Sequence, residues 1–100
     1  MKFTAHYLND RKERNELINQ IGWGKAILKK TVDRGHWHGD ELHVITDTGI
    51  IIFINPRTEE ILSAIIARPA QISRYYEDGK APEAVLRLAR EHVRMGYNLV

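Results

Sequence analysis

Glu41-Leu42-His43-Val44-Ile45-Thr46, Asp47-Thr48-Gly49, Ile50-Ile51-Ile52-Phe53-Ile54-Asn55, Pro56-Arg57-Thr58-Glu59-Glu60 and Ile61-Leu62-Ser63-Ala64-Ile65-Ile66-Ala67-Arg68 follow one another without a break. The three apolar pieces are rich in β-branched residues and the pieces between them in turn formers, which predicts three strands over Glu41–Thr46, Ile50–Asn55 and Ile61–Arg68. Asp47-Thr48-Gly49 suits a three-residue hairpin loop with glycine in the left-handed conformation. In Asn55-Pro56-Arg57-Thr58 the proline supplies the backbone angle of the first corner. Strands this closely joined run antiparallel, because a parallel pair needs a crossover of about a dozen residues or more.

Reading outward, Ala26, Leu28, Lys30 and Val32 alternate with Ile27, Lys29 and Thr31, so Lys25–Asp33 reads as a fourth strand, with a short helix as the competing assignment. Upstream, Asn9-Asp10 is a suitable cap for a helix over Arg11–Gln20 with Leu17, Ile18 and Ile21 at helical spacing, interrupted by Gly22-Trp23-Gly24. Downstream, Pro69 ends the last strand and Ala70–Tyr76 forms a short helix. Pro82 opens an amphipathic helix through Met95, with Val85, Leu86, Leu88, Ala89, Val93 and Met95 as its apolar side and Gly96 as its stop. The fold class is α+β: N-terminal helix, antiparallel four-stranded meander, short helix, C-terminal amphipathic helix. Leu42, Val44, Ile50, Ile52 and Ile54 form the expected core face, packed on Val85, Leu86, Ala89 and Val93.

One hundred residues are the length of one domain, residues 1–100, and 43% hydrophobic with 28% charged content is that of an ordinary globular chain. The absence of cysteine excludes disulfides and thiolate chemistry and favours a cytoplasmic location. Met1-Lys2-Phe3-Thr4-Ala5-His6 lacks the apolar core of a signal peptide, and no apolar run approaches the roughly 20 residues of a membrane helix, so no membrane partner is expected. Fifteen basic against 13 acidic residues leave a net charge of +2, too even to imply nucleic acid by itself. Lys25, Lys29, Lys30 and Arg34, and then Arg87, Arg90 and Arg94, read as solvated faces.

The densest chemistry lies in Arg34-Gly35-His36-Trp37-His38-Gly39-Asp40-Glu41-Leu42-His43. If Gly39-Asp40 is a two-residue turn, His38 faces Glu41, Trp37 faces Leu42 and His36 faces His43, and Arg34, His36, His38, Glu41 and His43 share one face of the sheet. Continuing that register through the Asp47-Thr48-Gly49 hairpin puts Ile45, Ile51 and Phe53 on the same side as His43. Histidine titrates near neutrality and arginine neutralises phosphate, so the cluster suits acid–base chemistry on a phosphate ester. A polar hairpin tip without chemistry, and three imidazoles of His36, His38 and His43 around zinc, are the competing uses. Arg68, Gln71, Arg74 and Tyr75, at the end of the last strand and along the short helix, suit phosphate binding with base stacking; the competing use is that Ile72 and one tyrosine dock the short helix while the rest are solvated. Asp47-Thr48-Gly49 resembles the triplet of retroviral-type aspartic proteases. Ile50 follows it in place of a small residue, so it reads as a turn.

Val32-Asp33-Arg34-Gly35-His36, Asp47–Ile52 and Ile66–Ile72 resemble segments of small hypothetical proteins of Gram-positive bacteria and their mobile elements. The order of helix and antiparallel meander is similar, more distantly, to the barnase–EndoU–colicin–RelE ribonuclease toxins. That resemblance implies a metal-independent, cofactor-free enzyme cleaving RNA on the open face of the sheet. His36, His38 or His43 would serve as acid and base, and Arg68, Arg74 or Tyr75 as transition-state or substrate contacts; Arg34 and Gln71, from the residue reading above, complete the expected substrate-binding set. The leading expectation is thus a toxin-type ribonuclease acting through the ribose 2′-hydroxyl, with an antitoxin or host protein as partner. The alternative is a non-enzymatic phage or mobile-element protein that inhibits a host nuclease or acts as a regulator.

Overall fold

The computed structural model describes residues 2–100; Met1, the first residue of the stretch read above for a signal peptide, lies outside them. The described residues form four α-helices and one five-stranded sheet. Strand β1 (Lys2–Phe3) leads into helices α1 (Ala5–Asp10) and α2 (Lys12–Ile21). Strands β2 (Ala26–Asp33), β3 (Asp40–Thr46), β4 (Ile50–Ile54) and β5 (Glu60–Ile66) follow, then α3 (Pro69–Ser73) and α4 (Glu83–Arg94). The sheet order is β1-β5-β4-β3-β2. The expected meander is present as β2 to β5, all antiparallel. The four-stranded, purely antiparallel expectation is corrected by β1, a two-residue strand parallel to β5 through Lys2 opposite Glu60 and Phe3 opposite Ile61. Two residues carry too little periodicity to signal a strand; pairing with β5 alone creates it.

The N-terminal helix is also a pair. Asn9 and Asp10 lie inside α1, whose cap is Thr4, its hydroxyl accepting from the Tyr7 N–H at 3.2 Å. At Arg11 the backbone leaves helical geometry and α2 begins without a side-chain cap. The Asp47-Thr48-Gly49 hairpin forms with Gly49 at φ 84°, as its glycine requires. Asn55 Oδ1 caps the next turn, accepting from the Arg57 N–H at 2.9 Å.

The helices cover opposite faces of the sheet. Tyr7 of α1 and Ile18 of α2 pack on Ile50, Ala64 and Ile66. Ile72 of α3 with Val85 and Ala89 of α4 packs on Ile45 and Ile51. Leu42, Val44, Ile50, Ile52 and Ile54 do share a face, but α1 and α2 lie beneath part of it; α4 packs instead on the side that carries His43. Alternation divides a strand's residues between two faces, and with both faces apolar it does not say which helix covers which. Within α4 the buried side chains are Val85, Ala89 and His92, while Leu88 and Val93, and Met95 just beyond its end, are exposed.

Candidate active site

Strands β2 and β3 and the residues of and after α3 line one cleft beside His43. The register there differs from the tight hairpin expected. Asp33 pairs with Asp40, Val32 with Glu41, Thr31 with Leu42 and Lys30 with His43. Six residues, Arg34 to Gly39, form the connection. The Asp33 carboxylate accepts from the Gly35 N–H at 2.8 Å, and the N–H of Arg34 donates to the Gly39 carbonyl at 3.0 Å. His36 and His38 therefore stand in an exposed turn, and the position opposite His43 belongs to Lys30. The carboxylate of Asp33 organises a longer loop than the Gly39-Asp40 turn, and the three imidazoles do not come together. Among the described residues, no three histidine or acidic side chains converge as metal ligands.

His43 is nevertheless the centre of a hydrogen-bonded cluster. Its pleat neighbour two residues away, Glu41, points to the same face, and the Glu41 Oε1 lies 2.9 Å from His43 Nε2. Tyr75, which follows α3 in the chain, brings its hydroxyl 2.7 Å from His43 Nδ1. A carboxylate only accepts, so the network assigns the neutral ring's proton to Nε2; Nδ1 is then a lone pair that accepts from the Tyr75 O–H. Phe53, opposite His43 on β4, meets the imidazole edge-on with centroids 4.7 Å apart. His43 is 3% exposed. Its ring is held by Glu41, Phe53 and Tyr75, and His43 and Tyr75 both line a cleft.

The phenol opens onto a cleft of about 420 Å³. Val32, Ile51, Phe53 and Ile65 make its apolar floor, and Lys30, Arg34, Arg74 and Gln71 its polar rim. Burial pushes the Tyr75 phenol above the usual tyrosine range; the Arg34 charge pulls it down and Glu41 pushes it up again. Tyr75 is therefore a neutral donor at ordinary pH. Lys30 Nζ donates to the Tyr75 backbone carbonyl at 3.3 Å, tying β2 to the turn after α3, and Arg34 Nη1 approaches Glu41 Oε1 at 4.0 Å.

Of the residues singled out in the sequence, the fold gathers Arg34, His43, Gln71, Arg74 and Tyr75 in one cleft. It leaves His36 and His38 on the loop. Arg68 lines a smaller adjoining depression that shares Ile65 and Gln71 with the cleft. Gln71 is oriented there by its Oε1, which accepts from the Arg68 N–H at 2.8 Å. Glu41 and Lys30 were not singled out as site residues. Their signal was parity: both alternate in step with His43 once the strands are paired. The arrangement offers a proton relay, Glu41–His43–Tyr75, beside three cations that suit a phosphate. Compared with protein-family models, with curated proteins and with solved structures, the chain finds no match in any of the three.

Proposed function

We propose that the cleft binds an RNA phosphodiester and cleaves it, without a metal ion, by attack of the neighbouring ribose 2′-hydroxyl. The observation that carries this reading is the hydrogen-bonded chain Glu41–His43–Tyr75 ending in a cleft rimmed by Lys30, Arg34 and Arg74. The Tyr75 oxygen takes the proton of the 2′-hydroxyl while its own proton passes to His43 Nδ1. The imidazolium so formed faces the Glu41 carboxylate, the role an acid plays behind a catalytic histidine. The 2′-oxygen–phosphorus bond forms, Arg34 and Arg74 offset the charge gathering on the phosphoryl oxygens, and the 5′-oxygen leaves with a proton from Lys30. The products are a 2′,3′-cyclic phosphate and a 5′-hydroxyl.

The test is direct. Purified protein incubated with tRNA, mRNA and ribosome-bound message in EDTA should give fragments with 2′,3′-cyclic phosphate ends, and DNA, which lacks the nucleophile, should survive. If all three RNAs stay intact and expression does cells no harm, the enzyme reading fails, and the cleft is instead the binding surface of a non-enzymatic inhibitor or regulator.

A further inference from the structure

The loop between β2 and β3 carries Trp37 at 91% exposure, the most exposed large apolar side chain among the described residues. Leaving an indole in water forfeits a large burial gain, and this one is presented by a hydrogen-bonded turn. Gly35 and Gly39 stand at φ 100° and 66° with open space around them. The Gly35 carbonyl accepts from the N–H groups of His38 and Gly39 at 3.2 and 2.8 Å, and the His36 ring meets the indole edge-on at 5.3 Å. Three residues of chain, at most about 10 Å, separate Trp37 from Arg34, whose guanidinium rims the cleft.

Resting on the ribonuclease reading above, we infer that Trp37 stacks on the nucleobase next to the phosphate held in the cleft, so that the substrate is unpaired RNA. A base offers its π-face to a side chain only when freed from its neighbours in a duplex, and stacking beside cationic phosphate contacts is how single strands are held without base readout. A protein anchor fits less well. Hot spots sit in a ring of further contacts, whereas the other exposed large apolar side chains lie on α1, β2, α4 and the C-terminal turn. One isolated ring is sufficient for one base.

The probe is a short single-stranded 2′-fluoro RNA, which keeps bases and phosphates and lacks the nucleophile, followed by fluorescence anisotropy across a salt series. Trp37→Ala should weaken binding roughly 5- to 150-fold, the range that base stacking supplies, and Trp37→Phe should restore most of it. The salt slope should match wild type in Trp37→Ala and fall by about one in Arg34→Ala, because only the latter loses a phosphate contact. Thermal unfolding of Trp37→Ala should match wild type, since the indole touches no core. A Trp37→Ala protein that binds the single strand as tightly as wild type overturns the stacking and leaves the cleavage reading standing. Wild-type protein that binds no single-stranded RNA overturns both.

Discussion

Around His43 each neighbour has a separate origin. Glu41 comes from the pleat, two residues back on the same strand; Phe53 comes from the register with β4; Tyr75 comes from a turn 32 residues away. Tyr75→Phe removes the hydroxyl that links His43 to the cleft and little else, so cleavage should slow by roughly 10²–10⁴-fold with circular dichroism unchanged. Glu41→Gln should also be slow, because an amide no longer favours the proton on Nε2 and leaves the imidazolium unmatched. The raised Tyr75 pKa sets the pH side of the same argument. A step that needs the neutral phenol continues through the ordinary tyrosine range, so the alkaline fall in kcat belonging to Tyr75 should lie above about pH 10. A fall assigned to Tyr75 below that pH would contradict the burial-raised phenol, and a kcat indifferent to Tyr75→Phe would contradict the proton-relay role.

The strands and turns carry their own expectations. Ile45 and Ile51 are fully buried beneath α3 and α4, and Ile50 is fully buried on the opposite face. Ile51→Ala should cost about 2–5 kcal/mol in a denaturant melt, since close-packed neighbours on both layers cannot collapse into the void. Ile52, the central residue of β4, is only partly buried, so Ile52→Ala should cost less than Ile51→Ala. Equal losses would mean that the two faces are equally dense. Ahead of β2, Gly24 stands at φ 74° with the Asp47 carboxylate oxygen in the space a Cβ would fill. That carboxylate accepts from the Lys25 N–H at 2.9 Å and fastens the start of β2 to the β3–β4 hairpin. Gly24→Ala should therefore cost at least about 1 kcal/mol, combining a strained backbone with a displaced hydrogen bond.

Over the whole molecule, His92 links α4 to the β3–β4 hairpin. It is 6% exposed, its Nδ1 has no partner among the described residues, and its ring lies near Gly49 and against Tyr97. Burial holds its pKa below the usual histidine range, with Glu91 opposing. The sign follows from the proton count. As pH falls below about 6.5 the unfolded chain binds a proton that the folded chain resists, so stability is lost on the acid side. The melting temperature of wild type should drop between about pH 6.5 and 5, and His92→Leu should flatten that drop. A variant that keeps the full wild-type slope would assign it to the carboxylates instead.

The local chemistry of the chain was enough to determine the β3–β5 hairpins, the left-handed glycine of the first, α4 and the common face of Glu41 and His43; for β2 it left a strand and a short helix open, and pairing with β3 decided for the strand. Turn formers, β-branched runs and two-residue alternation act over a few residues and need no tertiary partner. The resemblance to ribonuclease toxins lay outside that local chemistry, and cleavage stands as a proposal. Three further things needed the folded molecule. β1 is a strand only because β5 offers an edge. α4 covers the His43 face because both faces of the sheet are apolar and only packing chooses between them. His36 and His38 part from His43 because a six-residue loop, held by the Asp33 carboxylate, stands where a two-residue turn was expected, and a shift in register reassigns every cross-strand neighbour at once. Lys30 takes the position opposite His43, and Tyr75, distant in sequence, completes the relay because α3 docks Ile72 against Ile45 and Ile51.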